Sequence, residues 1–378
     1  VMLTVGAGLL LRSYDRLSNV PPGFDADGVL TMTLTIPASR YDSAAKVIGF
    51  YESLRQRLEA LPGVDRAAAV TELPATTTSW SSSMGVYGRE PLPQTDILHR
   101  EVLGDYFRTM RVPLIRGRTF TDADRLDAPP VVVVNEALVK EFFPNENPVG
   151  LRIAFDRFPD STSTWRTIVG VVGSERQGSL AMPPRPEIFA PVLQDWRRGY
   201  SMVARMRDGR DPISIAGPAR QAVRDLDSLI AVESIRPMTE VQSAALSRER
   251  FIGVLVFVFA ATGVLLALVG VFGVLAQLVQ TRWREMGIRL ALGAQRAQVR
   301  WMVVGHGTRL LTIGTVAGLL AAALATRVLE SLLFEVRPLD APTYAGVAAL
   351  VTIAGMVAAW IPALRASRAN PAVTLRSE

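Results

Sequence analysis

The 378-residue sequence predicts a membrane protein in two parts, an α-helical membrane-spanning region and a large extracytoplasmic α+β domain. Three observations predict it. Residues 251–281, 310–326 and 341–364 are charge-free, mostly apolar runs of 31, 17 and 24 residues, and a bilayer core about 30 Å thick takes roughly 20 helical residues to cross. Residues 1–250 hold 30 Lys+Arg against 30 Asp+Glu, so all six net positive charges lie beyond residue 250. Between residues 29 and 235, short period-2 and 3.6-period apolar patterns alternate, separated by Gly, Pro, Ser and Thr.

The first residues, 1–11, are uncharged and too few to cross a bilayer. They read as the outer end of a first transmembrane helix whose start lies upstream. A cleaved signal peptide is the competing reading, but Arg12-Ser13-Tyr14 does not resemble a cleavage site.

Residues 29–36 alternate Leu30, Met32, Leu34 and Ile36 against Thr31, Thr33 and Thr35, the pattern of a half-buried strand. Asp42 or Ser43 caps a helix on which Val47, Phe50, Tyr51, Leu54, Leu58 and Leu61 recur, ending at Pro62-Gly63. A strand over 64–71 completes a β-α-β or α+β unit. Further strands are expected at 130–134, 167–172 and 230–235, with helices at 135–143 and 212–226. Residues 73–93 and 176–191, rich in Ser, Thr, Gly and Pro, read as loops. A helix over 239–250 leads into the first complete span.

The middle apolar run becomes long enough as a helix over 301–327, with His306 and Arg309 at headgroup level. Between the first two spans Arg282, Arg284, Arg289, Arg296, Arg300 and Arg309 face only Glu285, giving +5. Past the last span, Arg365, Arg368 and Arg376 against Glu378 give +2; in the intervening connection Arg327 and Arg337 against Glu330, Glu335 and Asp340 give −1. The positive-inside rule therefore puts the first connection and the C-terminus in the cytoplasm and the large domain outside.

Several function classes are excluded on chemistry. The sequence holds no cysteine, so thiolate metal sites and disulfides are ruled out. Neither lysine, Lys46 or Lys140, follows a glycine-rich phosphate loop, so the chain does not bind ATP by itself. The two histidines, His99 and His306, fall in different compartments, and His99 reads as a surface residue rather than a catalyst. Asp122 and Asp124 suit a turn or helix cap. The chain reads as a non-enzyme without a cofactor. The neutral large domain argues against nucleic acid as a partner.

Inside the spans there is no charge to line an ion path, but small residues recur at four-residue spacing: Gly263 with Ala267, and Gly314, Gly318 and Ala322. Such faces suit close helix packing, within one subunit or between two. The most functional-looking segment is 282–300, where Met286, Ile288, Leu290 and Leu292 are interleaved with arginines. It suits inner-leaflet lipid headgroups or a groove on a cytoplasmic partner, and its Glu285 and Gly-flanked compact form favour the partner.

Glu285-Met286-Gly287-Ile288-Arg289-Leu290-Ala291-Leu292-Gly293-Ala294 resembles the cytoplasmic signature of FtsX/MacB-type ABC transporter permeases, and residues 362–376 resemble the family's closing motif. Gly8-Leu9-Leu10-Leu11-Arg12-Ser13, Pro22-Gly23-Phe24, Tyr106-Phe107-Arg108-Thr109-Met110, Arg116-Gly117-Arg118 and Val132 to Leu138 are similar to the MacB-like periplasmic core domain. The match is closest to the duplicated, ATPase-lacking permeases, of which this chain resembles the second half. The resemblance implies a four-helix FtsX-like topology with its first helix truncated here. Residues 1–22 would be the end of that helix and a connector, 23–245 the periplasmic core domain and 246–378 the transmembrane domain.

It also implies ATP hydrolysis by a separate cytoplasmic ABC ATPase, contacted by Arg284, Glu285, Met286, Gly287, Ile288, Arg289, Leu290, Leu292 and Gly293 as a coupling helix. The implied setting is the inner membrane. Further implied partners are a second permease half or second copy, a periplasmic adaptor or outer-membrane channel, and membrane lipid. The expected function is export of an antibiotic, peptide or lipid-like substrate; the alternative is a signal transducer that activates a periplasmic enzyme.

Overall fold

Alternating β-branched and aliphatic residues build the centre of a mixed sheet within residues 20–247. The computed structural model describes residues 1–77, 80–93, 95–282, 285, 288, 292, 295–327 and 333–367. They divide into a sheet unit, Val20–Ser247, and a helical unit, Val1–Asn19 with Arg248 onward.

In the sheet unit, β1 (Val29–Thr35) and β2 (Val64–Val70) are joined by α2 (Ala44–Glu59), yet β11 (Gly199–Met206) lies between them, antiparallel to both. β12 (Val232–Pro237), reached from β11 through α5 (Ala216–Leu226), pairs with the other side of β1. This split β-α-β pairing with two crossover helices is a ferredoxin-like arrangement. Both helices cover one face, where Leu30, Met32 and Leu34 meet Val47, Phe50, Leu54 and Leu58 of α2 and Ala219 and Val223 of α5. Buried Tyr51 keeps its hydroxyl satisfied by donating to the carbonyls of Leu34 and Arg198.

The half-buried expectation for 29–36 needs correcting. Thr31 is 1% exposed. It donates to the Arg236 carbonyl at 2.8 Å, and Thr33 shares a hydrogen bond with Ser201 at 2.8 Å, so the threonine face is partly covered as well.

Residues 71–198 are inserted between β2 and β11 and extend the sheet. β5 (Ile97–Gly104) pairs with β2, followed by β10 (Glu187–Pro191), β7 (Val131–Asn135), β9 (Arg166–Val172), β8 (Arg152–Ala154) and β4 (Gly85–Val86). β3 (Ser81–Ser82) adds to β5 and β6 (Leu114–Gly117) adds to β9. Val132, Val134, Ile168 and Ile188 pack with Leu138 and Phe143 into a second core. Leu138 lies on α4 (Glu136–Phe142), whose N-cap Asn135 accepts from the Leu138 and Glu187 amides.

The stretches expected as loops therefore hold strands: β3 and β4 within 73–93, and β10 within 176–191. Every residue of β10 is buried. Pro191 stands at its last position, where a missing donor costs the ladder least. The 239–250 helix is two helices, α6 (Met238–Ala245) and the start of α7 (Ser247–Thr281), separated at Leu246.

In the helical unit, α1 (Met2–Ser18) continues through Arg12, α8 (Arg296–Ala325) begins five residues before Trp301, and α9 (Ala341–Ser367) holds the last apolar run. A reciprocal Gln295–Gln298 capping box starts α8. α7, a helix within Gly307–Ala325 and one within Ala341–Leu364 are long and apolar enough to cross a membrane. α8 and α9 approach closely at Gly355, where a Cβ would lie 2.3 Å from the Leu311 side chain. Val5 and Leu9 of α1 pack with Ala322 and Val347.

Candidate functional site

Of the segment expected to contact an ATPase, Glu285, Ile288 and Leu292 are described; Arg284, Met286, Gly287, Arg289, Leu290 and Gly293 lie outside the described residues. Glu285 and Ile288 are helical, and the Leu292 amide donates to the Ile288 carbonyl at 2.9 Å, one helical turn back. Ile288 is 45% and Leu292 82% exposed. Two large aliphatic side chains four residues apart thus stand open on one side of this turn.

The small residues of the spans are placed unequally. On α8, a Cβ at Gly318 would lie 2.6 Å from Val1, and Ala322 is fully buried, so both face α1. On α7, a Cβ at Gly263 would come no closer than 3.9 Å, to Leu3, and Ala267 is exposed. Gly314 is exposed with nothing within 4 Å of its Cβ position. The sequence reading missed Gly8, Gly307 and Gly355. A Cβ on Gly8 would meet Thr343 at 2.8 Å, and one on Gly307 would meet Ala359 at 3.2 Å. The Gly355–Ala359 pair has the same four-residue spacing and was the available signal. Hydroxyls in the spans bond back to their own helix, Thr262 to Val258 and Thr312 to Thr308, both at 2.9 Å.

Chemistry concentrates instead in the sheet unit. On β5, His99, Arg100 and Glu101 are 3%, 0% and 1% exposed. The surface placement expected for His99 is thereby overturned. Its ring lies between Trp80, tilted by 38° at a centroid distance of 4.4 Å, and Phe155, edge to face at 4.2 Å, and hydrogen-bonds Ser82 through Nε2 at 2.7 Å. Arg197 lies over Trp80 and Arg166 over Phe155 at 4.2 and 3.9 Å, closing a five-membered ladder of cations and rings. Burial first, then these two guanidinium charges, lower the His99 pKa to about 3, so the ring is neutral.

Beside it, the Arg100 guanidinium is held by two fully buried carboxylates. It bonds Glu187 through Nε and Nη2, the latter at 2.8 Å, and Glu175 through Nη2. Tyr106 on α3 (Tyr106–Thr109) donates to Glu175 at 3.0 Å, and the guanidinium lies 4.8 Å from the Phe189 ring centroid. Burial pulls Arg100 down, but the two carboxylates outweigh it and hold its pKa well above the ordinary value. Burial raises Glu187 in spite of Arg100. The cluster is sealed from solvent and ties β5 to β10 and to the chain leading from β9. It also explains a sequence motif: Gly23, at φ +87°, has its Cβ position 2.0 Å from the Ser174 carbonyl, beside Glu175, where only glycine fits. Gly117, at φ +72°, meets the Val169 carbonyl in the same way at 2.2 Å. Asp124 is buried in a turn with no helix after it, accepting from Arg118 and the Thr121 amide.

Comparison with known proteins gives two family models: the MacB-like periplasmic core domain matches residues 1–222 and the FtsX-like permease C-terminal model matches residues 257–371. The chain is 24% identical to the uncharacterized ABC transporter permease YvrN of Bacillus subtilis, over 75% of this chain and 72% of that one. It is 25% identical to the macrolide export ATP-binding/permease protein MacB of Nitrosomonas europaea, over all of this chain and 54% of that protein, so it spans about half the length of that relative. The crystal structure of the periplasmic region of MacB from Actinobacillus actinomycetemcomitans aligns with 61% of this chain and 97% of its own at 16% identity, with a TM-score of 0.40. The core-domain model alone takes in more than half of the residues, and the chain belongs to the MacB/FtsX-type family of ABC transporter permeases, carrying a MacB-like periplasmic core domain and an FtsX-like permease domain.

Proposed function

We propose that this chain couples ATP hydrolysis by a separate cytoplasmic ABC ATPase to conformational change in its periplasmic domain, for export or extrusion of an antibiotic, peptide or lipid-like substrate. The observation that carries this reading is the pair of exposed aliphatics, Ile288 and Leu292, on an arginine-rich segment of charge +5 between the first two complete spans. The positive-inside rule puts that segment in the cytoplasm, where ATP-binding subunits reside. Arg284 to Gly293 then forms a coupling helix whose apolar residues enter a groove on the partner. In this reading ATP is held by that partner.

In this reading α1, α7, α8 and α9 are four spans in the inner membrane, the C-terminus is cytoplasmic, and residues 23–245 form the periplasmic domain. A second permease half or second copy completes the unit, with an adaptor or outer-membrane channel beyond it. The charge-free apolar runs 251–281, 310–326 and 341–364 suit transmission of motion better than passage of a polar substrate between them. An ATP-bound partner shifts the helices only if it contacts them differently in two states, and the coupling helix is where that difference acts. Macrolide export, named for a relative, is one candidate substrate class.

Replacing Gly287 or Leu290 with Asp should abolish stimulation of the partner ATPase while leaving membrane insertion intact. Unchanged coupled ATPase activity in both variants would remove the coupling assignment.

A further inference from the structure

The helical unit carries an apolar groove of about 620 Å³ between α1, α7 and α9, walled by Leu11, Phe257, Leu265, Val347 and Leu350. Among its described lining residues only Thr4 and Thr343 have polar side chains. It runs from Leu11 to Thr4 on α1 and from Pro342 to Leu350 on α9. At 1.5 Å per residue that is about 10 to 12 Å along each helix, comparable to the roughly 15 Å hydrocarbon depth of one leaflet.

Its mouth is charged. Arg12, next to Leu11, donates through Nη1 to Asp340, two residues before Pro342. Asp340 also caps α9, accepting from the Thr343 amide and hydroxyl at 3.1 and 2.6 Å. Among the described residues all three bonds fall on Oδ2. Asp340 Oδ1 and the Nε and Nη2 groups of Arg12 remain for a ligand, and the Arg12 side chain is 36% exposed.

We propose that the groove holds one phosphatidylethanolamine, with an acyl chain between the three helices and its headgroup on the Arg12–Asp340 pair. The phosphate accepts from Arg12 and the primary ammonium donates to Asp340 Oδ1, so both charges of the headgroup are matched. Phosphatidylglycerol would bring its phosphate beside Asp340 with no cation to offset the carboxylate. A quaternary choline has no N–H to donate. Assignment to the outer leaflet rests on the proposed orientation; the choice of headgroup does not.

The test uses the full chain, reconstituted in bilayers of equal parts phosphatidylethanolamine and phosphatidylglycerol and read by native mass spectrometry. One phosphatidylethanolamine should stay with each chain in preference to phosphatidylglycerol. Arg12→Gln should lower its retention about tenfold, the scale of a lost charge-assisted hydrogen bond. Asp340→Asn, which keeps the helix cap, should retain lipid but lose the headgroup preference. Gly346→Leu fills the groove from a position where a Cβ meets nothing within 4 Å, and should release lipid of either class. Equal retention of the two lipids by the native chain, undiminished lipid in Gly346→Leu, or a lipid-free pair of chains each overturns the proposal. Because the readout is lipid mass, failure here is separate from failure of ATPase coupling.

Discussion

The centre of the sheet unit and the centre of the helical unit solve opposite problems. In the sheet, Arg100, Glu175 and Glu187 are all fully buried, and the charges persist because each meets a partner across β5, β10 and the chain leading from β9. Removing one member leaves the others uncompensated in low dielectric. The apolar runs 251–281, 310–326 and 341–364 carry no charge, and helix contact comes from backbone approach at Gly8, Gly307 and Gly355. Lipid tails are as apolar as leucine, so burying leucine from lipid gains little, and shape complementarity decides. A charge-stapled sheet should therefore respond to charge substitutions and pH, and a glycine-packed bundle to volume.

The largest effect should come from Arg100→Met, which strands two carboxylates and should destabilise the sheet unit by roughly 3–5 kcal/mol. Denaturant titration of the full chain in detergent checks it. Adding Glu175→Gln and Glu187→Gln should recover much of the loss, since the charges go together. A single variant as stable as the native chain would break the contrast.

Next comes pH. His99 has its pKa lowered from 6.5 to about 3, chiefly by burial. The unfolded chain takes up this proton near pH 6.5 and the folded chain only near 3, so the contribution is intact above 6.5 and is lost as pH falls through that window. The loss totals a few kcal/mol at about 1.36 per unit. Glu187, raised above 4.5, runs the other way: acidification favours its folded form. The native chain's margin over His99→Gln in denaturation midpoint isolates the histidine, and should shrink steadily as pH falls below 6.5.

Volume should govern the spans. Gly355→Leu, facing Leu311 at 2.3 Å from the Cβ position, should cost about 1–3 kcal/mol and separate α8 from α9. Gly314→Ala, with nothing within 4 Å, should change stability by less than about 0.5 kcal/mol. Thermal unfolding in detergent compares the two, and equal responses would mean the packing glycines are misassigned.

The same contrast explains what could be read from the sequence. Spans and amphipathic elements announce themselves through period and charge, so β1, α2, β2, β7, α4, β9 and the three long apolar helices were legible. β5 and β10 were not. His99-Arg100-Glu101 and Glu187 look like surface residues because isolated buried charge is so costly, and the partners that make burial possible, Glu175 on one side and Trp80 and Phe155 on the other, are distant in sequence. β11 was obscured by Arg205, which is 4% exposed and donates to the Asp25 and Asp27 carbonyls. In the helical unit, spacing pointed to Gly318 and Ala322, which face α1, but also to Gly314 and Ala267, which are exposed. Four-residue spacing marks a possible face without saying which helix covers it. The apolar, arginine-rich character of 284–293 was fully legible.

The measurement that bears most directly on the coupling account is capture of cytoplasmic ATPases by the membrane-inserted chain, comparing the native segment 284–294 with a scrambled segment of the same composition. Recovery of an ABC ATPase by the native chain and its loss on scrambling is the predicted result. Equal recovery by both, or by neither, would contradict the assignment of this segment as the contact through which ATP hydrolysis moves the periplasmic domain.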